Sequence, residues 1–186
     1  MGISVSVLVF TCISIIGVSG VFLITGLAGM FSLGQASFMA VGAYTSGVLV
    51  VRFGVPFPVA AVAGTLAGVL AGLLVGLPTV RLRRDYIALV TFGFGEAIIA
   101  ILNNLSQITG GAMGLVGIPP LTTLPLVLLS AFFSLFFVWN FKFSKYGRQC
   151  IAIRTDELAA RSMGIHGDGL KLLVFILSAG LSAYAG

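Results

Sequence analysis

Charged residues are scarce in this chain. Lys, Arg, Asp and Glu together make up 8% of its 186 residues, and none occurs in residues 1–51, 53–80 or 97–141. Soluble domains contain about 25% charged residues, whereas a membrane-spanning helix needs about 20 consecutive apolar residues. With 59% apolar residues and a mean hydropathy of +1.17, the chain is predicted to be an integral membrane protein.

The side chains that usually form metal or catalytic sites are also rare. The chain has two cysteines and one histidine, and it contains no Walker A, HExxH, CxxC or GxSxG pattern. Cys12 falls in an apolar stretch and Cys150 in a polar one, so no disulfide is expected. His166 is interpreted as a solvated loop residue. We therefore predict no catalytic residue, no metal site and no cofactor, and the protein is not expected to be an enzyme.

Six apolar stretches predict an all-α, polytopic membrane helix bundle. The chain, 1–186, is interpreted as a single transmembrane domain. The predicted spans are Ile3–Ile24, Leu33–Val51, Phe57–Val80, Tyr86–Leu105, Leu121–Phe141 and Leu170–Gly186.

The net charge of +5 comes from basic residues that flank the apolar stretches. They cluster in Arg81–Arg84 and in the polar segment, residues 142–171, which contains nine of the fifteen charged residues. Cytoplasmic loops are rich in Lys and Arg, so this pattern indicates a lipid bilayer and no nucleic-acid partner. With both clusters cytoplasmic, Asn103–Pro120 and Arg52–Pro56 lie outside, and so does the N-terminus.

The third predicted span has a small residue at every fourth position. A stripe of this kind lets two membrane helices approach closely. We interpret it as a helix-packing surface and not as a transport element. The stripe consists of Gly64, Gly68, Gly72 and Gly76, preceded by Ala60.

The stretch Gly26–Ser37 is rich in glycine but has no charge. Irregular backbone at membrane depth occurs where it is buried in protein or lines a cavity. Gln35 and Ser37 are therefore candidate pathway residues, with a plain tight turn between helices as the alternative. The glycine- and proline-rich stretch Thr109–Pro120 is interpreted either as a docking loop for a substrate-delivery protein or as a simple connection.

Glu96 lies well inside the fourth apolar stretch. An ionisable group at that depth is costly and indicates a functional site. Its carboxylate is expected either to contact a pathway or the ammonium group of a substrate, or to form an interhelical hydrogen bond. Asn103, about two turns further along, is a candidate for the outer mouth of a pathway.

The polar segment predicts a short helix outside the membrane. Thr155 or Asp156 is expected to cap it, Glu157 favours its positive end, and Gly164 ends it, giving about three turns. Leu158, Ser162 and Ile165 are predicted to share one face. Such a helix fits a groove on a partner protein, and the alternative is a helix on anionic lipid, supported by Arg148, Arg154, Arg161 and Lys171.

An ordered series of short motifs resembles one known family. The motifs include Gly26-Leu-Ala-Gly29, Ser32-Leu-Gly34, Gly42-Ala-Tyr44, Leu82-Arg-Arg-Asp-Tyr86, Thr91-Phe-Gly-Phe-Gly-Glu96, Leu102-Asn-Asn104, Thr109-Gly-Gly111, Gly114-Leu-Val-Gly-Ile-Pro119 and the stretch from Glu157 to Gly164. Together they resemble the inner-membrane permeases of bacterial branched-chain amino-acid ABC importers, and urea and sugar permeases look like relatives.

The resemblance implies a permease in the bacterial inner membrane that pairs with a second permease subunit, as a homodimer or heterodimer. Two cytoplasmic ATPases would drive it, and an extracytoplasmic binding protein would deliver branched-chain or similar amino acids. The polar segment resembles the coupling loop of these importers. The residues that match this loop are Asp156, Glu157, Ala159, Ala160 and Gly164.

Two departures from the family pattern affect these expectations. The family usually has an arginine three residues after the glutamate of the Gly-Phe-Gly-Glu motif, and this chain has Ile99 there. Family chains also continue well beyond the equivalent of Gly186, so a chain cut short at its C-terminus is expected. The alternatives to an amino-acid importer are a urea or sugar permease, a non-transporting remnant and an ATP-independent channel.

Overall fold

The structure, a computed structural model, describes residues 3–82, 84–119 and 122–186. Predictions that involve Arg83, Pro120 and Leu121 fall outside these ranges. Nine α-helices in the described ranges are joined by turns. They are α1 (Ile3–Val21), α2 (Gln35–Phe53), α3 (Phe57–Thr79), α4 (Arg84–Asn104), α5 (Ser106–Thr109), α6 (Leu124–Phe143), α7 (Lys145–Thr155), α8 (Glu157–Ser162) and α9 (Gly167–Ala185).

Six of these helices are long and apolar enough to cross a membrane, which confirms the predicted all-α, multi-pass bundle. They are α1 with the π-helical turn Phe22–Leu27 that continues it, then α2, α3, α4, α6 and α9. The ends differ slightly from those predicted. The first span continues to Leu27, and the last begins at Gly167 instead of Leu170, because residues 167–169 already form its first turn.

Helix α9 is the centre of the bundle and packs against α1, α2 and α3. Half of its span is buried, compared with 11% of the span in α4. Its buried face is made mostly of small side chains, so its neighbours approach its backbone closely. These small residues are Ser178, Ala179, Gly180, Ser182 and Ala183.

Two long-range hydrogen bonds show which loops share an end of the bundle. The Arg154 guanidinium in α7 donates to the carbonyl oxygen of Gly26, at the end of the first span. The Arg52 guanidinium, in the last turn of α2, donates to the carbonyl oxygen of Gln107 in α5. Residues 26–34 and the polar segment therefore lie at one end of the bundle, and Gln107 lies at the opposite end.

The turn between the first two spans is a packed structure. Leu27, Ala28 and Met30 are buried, and Gly29 has a φ of +66°. The backbone N–H of Leu33 donates to Thr91 Oγ1 of α4 at 3.1 Å. The turn is thus held against both α4 and α7.

Candidate functional site

Asp156 caps the start of helix α8. The Asp156 carboxylate accepts hydrogen bonds from the backbone N–H of Leu158 at 2.9 Å and of Ala159 at 3.1 Å. These bonds satisfy N–H groups that have no partner within the helix. Of the two predicted caps, Asp156 is the one that acts, since the Thr155 hydroxyl donates to the Ile151 carbonyl instead.

Gly164 ends α8 in the left-handed conformation, with a φ of +81°. The N–H of Gly164 donates to the Arg161 carbonyl at 3.0 Å, and the N–H of Ile165 donates to the Ala160 carbonyl at 3.1 Å. This pair of bonds is a Schellman motif, which favours glycine at its left-handed position. The two ends leave only the six residues of Glu157–Ser162 in α8, so the prediction of about three turns was wrong.

Helix α8 exposes most of its surface. Leu158 is 81% exposed and Met163, just after the helix, is 83% exposed, whereas Ala160 is buried. Ser162 is exposed beside Leu158, but Ile165 lies beyond the end of the helix and packs against the core. The three residues predicted to share one face therefore do not do so: Leu158 and Ser162 are exposed, and Ile165 packs against the core.

A network of ion pairs attaches α8 to the first turns of α9. Glu157 Oε1 lies 2.7 Å from Lys171 Nζ and 3.0 Å from Arg161 Nη2, and Arg161 Nη2 lies 2.9 Å from Asp168 Oδ1. The hydrogen bond from Lys171 is the largest cause that holds the pKa of Glu157 below its ordinary value, and Arg161 adds to it. Lys171 is buried, at 5% exposure, so its cation depends on this partner.

Four basic residues of the polar segment contact the protein itself. Arg154 bonds to Gly26, Arg161 and Lys171 are ion-paired, and Arg148 donates to the Phe143 carbonyl at 3.1 Å. A helix held on anionic lipid would direct such cations towards the headgroups. In the structure, these four side chains are thus engaged with groups of the protein itself.

Glu96 and Asn103 lie on one exposed face of α4, together with Gly93 and Ala100. We call these four residues the Glu96 face of α4. Glu96 has no hydrogen-bond or ion-pair partner in the described part of the chain, so the interhelical hydrogen bond considered for it is absent there. A Cβ atom at Gly93 would contact nothing within 4 Å, so this face is open.

The other two pathway candidates lie inside the bundle. Gln35 Oε1 accepts a hydrogen bond from Ser182 Oγ of α9 at 2.7 Å. Its buried Nε2 has no partner among the described residues. Ser37 is buried, and its hydroxyl lies beside Gly95, where a Cβ atom would come within 3.0 Å of it. The structure thus places Ser37 next to the residue that precedes Glu96.

The four glycines of α3 line its contacts with two neighbours. A Cβ atom at Gly64 would lie 2.7 Å from the Gly42 carbonyl oxygen of α2. Positions Gly68 and Gly72 face the side chains of Ala183 and Ala179 in α9, with no room for a methyl group. The stripe therefore brings the α3 backbone close to both α2 and α9.

Sequence reasoning did not identify α7, the Glu157–Lys171 pair, or Gly93 and Ala100 as parts of the site. The alternating spacing of three and four residues from Gly93 to Asn103 was the available signal for the α4 face. Lys171 lies fourteen residues from Glu157, beyond the reach of any helical spacing rule. Only the folded arrangement of α8 on α9 shows that pair.

Comparison with known proteins identifies the family of the chain. Residues 3–186 match the family described as branched-chain amino acid transport system, permease component. The high-affinity branched-chain amino acid transport system permease proteins LivM of Salmonella typhimurium and Escherichia coli are each 33% identical to the chain, over 98% of its length. The chain spans about half the length of these curated relatives, 51%. No solved structure matches the chain.

Proposed function

Because the chain belongs to the family of branched-chain amino acid transport system permease components, we propose that it forms part of the transmembrane pathway of an ATP-driven importer in the bacterial inner membrane. The substrates proposed are branched-chain or similar amino acids. Both matched relatives are described as permease proteins of a branched-chain amino acid transport system. A permease of this kind works by changing which side of the membrane its pathway faces.

The observation that carries the proposal is the form of α8. It is a short helix with a defined start at Asp156 and a defined stop at Gly164, and it lies outside the spans with Leu158 and Met163 exposed. An exposed apolar pair on a fixed helix fits a groove on another protein. We propose that this groove belongs to a cytoplasmic ATPase, and that Asp156, Glu157, Ala159, Ala160 and Gly164 form the coupling contact.

The proposed assembly contains a second permease subunit, two ATPases and an extracytoplasmic binding protein. The exposed α4 supports the second permease subunit, since an ionisable side chain such as Glu96 does not normally face lipid. With α8 in the cytoplasm, the N-terminus and residues 103–119 face outward, where a binding protein delivers substrate. The basic residues of the polar segment support that orientation.

The Glu96 face of α4 favours an amino acid over urea or a sugar as the transported substrate. Glu96 places one carboxylate near the middle of the span, and the ammonium group of an amino acid complements it. Urea and sugars carry no positive charge for it to bind. We therefore propose Glu96 and Asn103 as pathway residues, with Ser37 and Gln35 supporting them from α2.

Substitution of Gly164 tests the coupling role. Gly164→Arg forces a non-glycine residue into a φ of +81° and breaks the stop of α8, so ATP-driven uptake should fall by roughly tenfold or more. The matched control is Gly54→Arg. Gly54 also has a positive φ, +63°, and open space around it, but it ends α2 at the opposite end of the bundle.

Uptake is measured in proteoliposomes that contain the complete transporter, with and without ATP. Loss in Gly164→Arg at normal membrane insertion, with uptake largely kept in Gly54→Arg, supports the proposal. Uptake that does not depend on ATP would favour a channel and overturn it. Normal uptake in Gly164→Arg would overturn the coupling role of α8.

A further inference from the structure

Helix α8 has little apolar contact with the bundle. It has six residues, and Ala160 is its only fully buried side chain among the described residues. A helix this short is not stable by itself, because forming its first turn is unfavourable. Its position on the bundle therefore depends on polar contacts.

Lys171 supplies the strongest of these contacts. Its side chain is 6% exposed, and its ammonium group lies 2.7 Å from the Glu157 carboxylate, which is 28% exposed. By contrast, the Arg161–Asp168 pair is more than half exposed on both sides. Exposed pairs contribute little, whereas removing one partner of a buried pair leaves a costly unpaired charge. Glu157 is thus fastened to α9 chiefly through Lys171.

Helix α9 passes this attachment on to the rest of the bundle. It begins beside α8 and continues through the core, where Ala179 and Ala183 fill the spaces at Gly72 and Gly68 of α3. Close-packed interfaces without voids transmit displacement, since neither helix can shift alone without overlap. A movement of α8 that α9 follows therefore reaches α3 as well.

We propose that Lys171 is a positioning residue for coupling, which locks α8 onto α9 through Glu157 so that displacement of α8 moves α9 and α3 together. The inference rests on the proposed function, because it requires α8 to receive the movement of an ATPase. Lys171 itself lies inside the protein and contacts no ATPase. Its removal should loosen transmission without removing the docking surface of α8.

The test compares Lys171→Met with Lys171→Arg in the complete, reconstituted transporter. Lys171→Met keeps an apolar stem of similar length but removes the charge, so the substrate transported per ATP hydrolysed should fall roughly tenfold. ATPase association, measured by co-purification, and ATP hydrolysis should stay near wild type. Lys171→Arg keeps the cation and should restore much of the ratio. Lys145→Met is the matched control, since it removes an exposed lysine of the same segment.

A second measurement follows the attachment itself. Spin labels on α8 and on α9 should show a single narrow distance in the wild type and a broadened one in Lys171→Met. A transport-to-ATP ratio unchanged from wild type would overturn the inference, even if stability falls, because a purely structural role would not alter that ratio. Failure of the proposed function looks different, since wild-type uptake would then be independent of ATP.

Glu157→Gln covers the case in which Lys171→Met does not assemble. It keeps the side-chain shape and an amide oxygen that can still accept a hydrogen bond from Lys171, so the buried lysine keeps a partner, but it removes the negative charge that Lys171 contacts. The substrate transported per ATP hydrolysed should fall, as in Lys171→Met. A wild-type ratio in Glu157→Gln, with normal ATPase association, would equally overturn the role of the pair.

Discussion

Arg154 and Gly26 are joined by a hydrogen bond across 128 residues of sequence, from a guanidinium in α7 to the carbonyl at the end of the first span. The same side chain lies over Gly29, where a Cβ atom would come within 2.7 Å of Arg154 Cγ. Gly29 also has a φ of +66°, which disfavours other residues. The first turn of the bundle and the polar segment are therefore built around each other.

Gly29→Ala should destabilise the protein for two reasons, the positive φ of this residue and the contact of its new methyl group with Arg154. The left-handed backbone and the displacement of Arg154 together should lower the free energy of unfolding by about 2–4 kcal/mol. Gly54→Ala is the control, because it has a similar φ of +63° but open space, so only about 1–2 kcal/mol should be lost. Thermal unfolding in detergent measures both. Equal losses would contradict the close contact with Arg154.

Gly68→Ala should weaken the packing of α3 on α9. The added methyl group would overlap the side chain of Ala183, at a cost of about 1–3 kcal/mol. Gly93→Ala is the matched control within another span, since nothing lies within 4 Å of that position. It should leave stability unchanged or raise it by up to about 1 kcal/mol. A loss in Gly93→Ala as large as in Gly68→Ala would show that the α3 stripe is not special.

Glu96→Gln should weaken the uptake of amino acids. If the carboxylate contacts the substrate ammonium, the KM for uptake should rise roughly tenfold, while Glu96→Asp should keep most of the affinity. Ile99→Gln serves as the control, because it places the same amide at a neighbouring position that is 53% exposed. Uptake in Glu96→Gln equal to that of Ile99→Gln would contradict a substrate contact.

The attachment of α8 should depend on pH only in acid. The pKa of Glu157 is lowered in the folded protein, mainly by the hydrogen bond from Lys171, so the pair contributes stability above the ordinary pKa of 4.5 and loses it as the pH falls through the lowered value. Arg161, Asp168, Asp156 and Arg81 are the other charged groups around this site.

The distance between labels on α8 and α9 provides the measurement for this pH prediction. The distribution should stay narrow from about pH 8 to about pH 5 and broaden only well below pH 4.5. In Lys171→Met the distribution should be broad at every pH in that range. Broadening between about pH 7 and about pH 5 in the wild type would contradict the lowered pKa of Glu157.

Cysteine labelling should establish the orientation of the bundle. Leu158→Cys should be protected from an impermeant maleimide in intact cells, and Val116→Cys, at a position 80% exposed, should react. The native thiols should stay silent and serve as the background, because burial raises the pKa of Cys150 to about 11 and Cys12 is buried within a span. The reverse pattern would place α8 outside and contradict the coupling proposal.

Local sequence rules predicted the features that depend on nearby residues. The six spans follow from long apolar stretches, the stop at Gly164 from the left-handed preference of glycine, and the close side of α3 from its four-residue spacing. Each of these signals lies within a few turns of chain. They sufficed for the fold class and for the position of α8.

Features that join distant residues could not be predicted in the same way. The contacts of Lys171 with Glu157 and of Arg154 with Gly26 require α7, α8 and α9 to fold around the end of the first span. Glu96 stood out by its cost in a membrane, but its open surroundings depend on how α4 packs at the edge of the bundle. The sequence pattern carries no direct record of those distances.

The small side chains of α9 have a consequence for how the bundle assembles. Ala and Gly lose no rotamer freedom on burial, whereas a buried Leu or Ile loses about 0.5–1 kcal/mol. In lipid, apolar side chains gain little by leaving the acyl chains, so helices associate through close contact. The central helix of this protein therefore inserts between its neighbours with its surface shape already set, and association orders few side chains there.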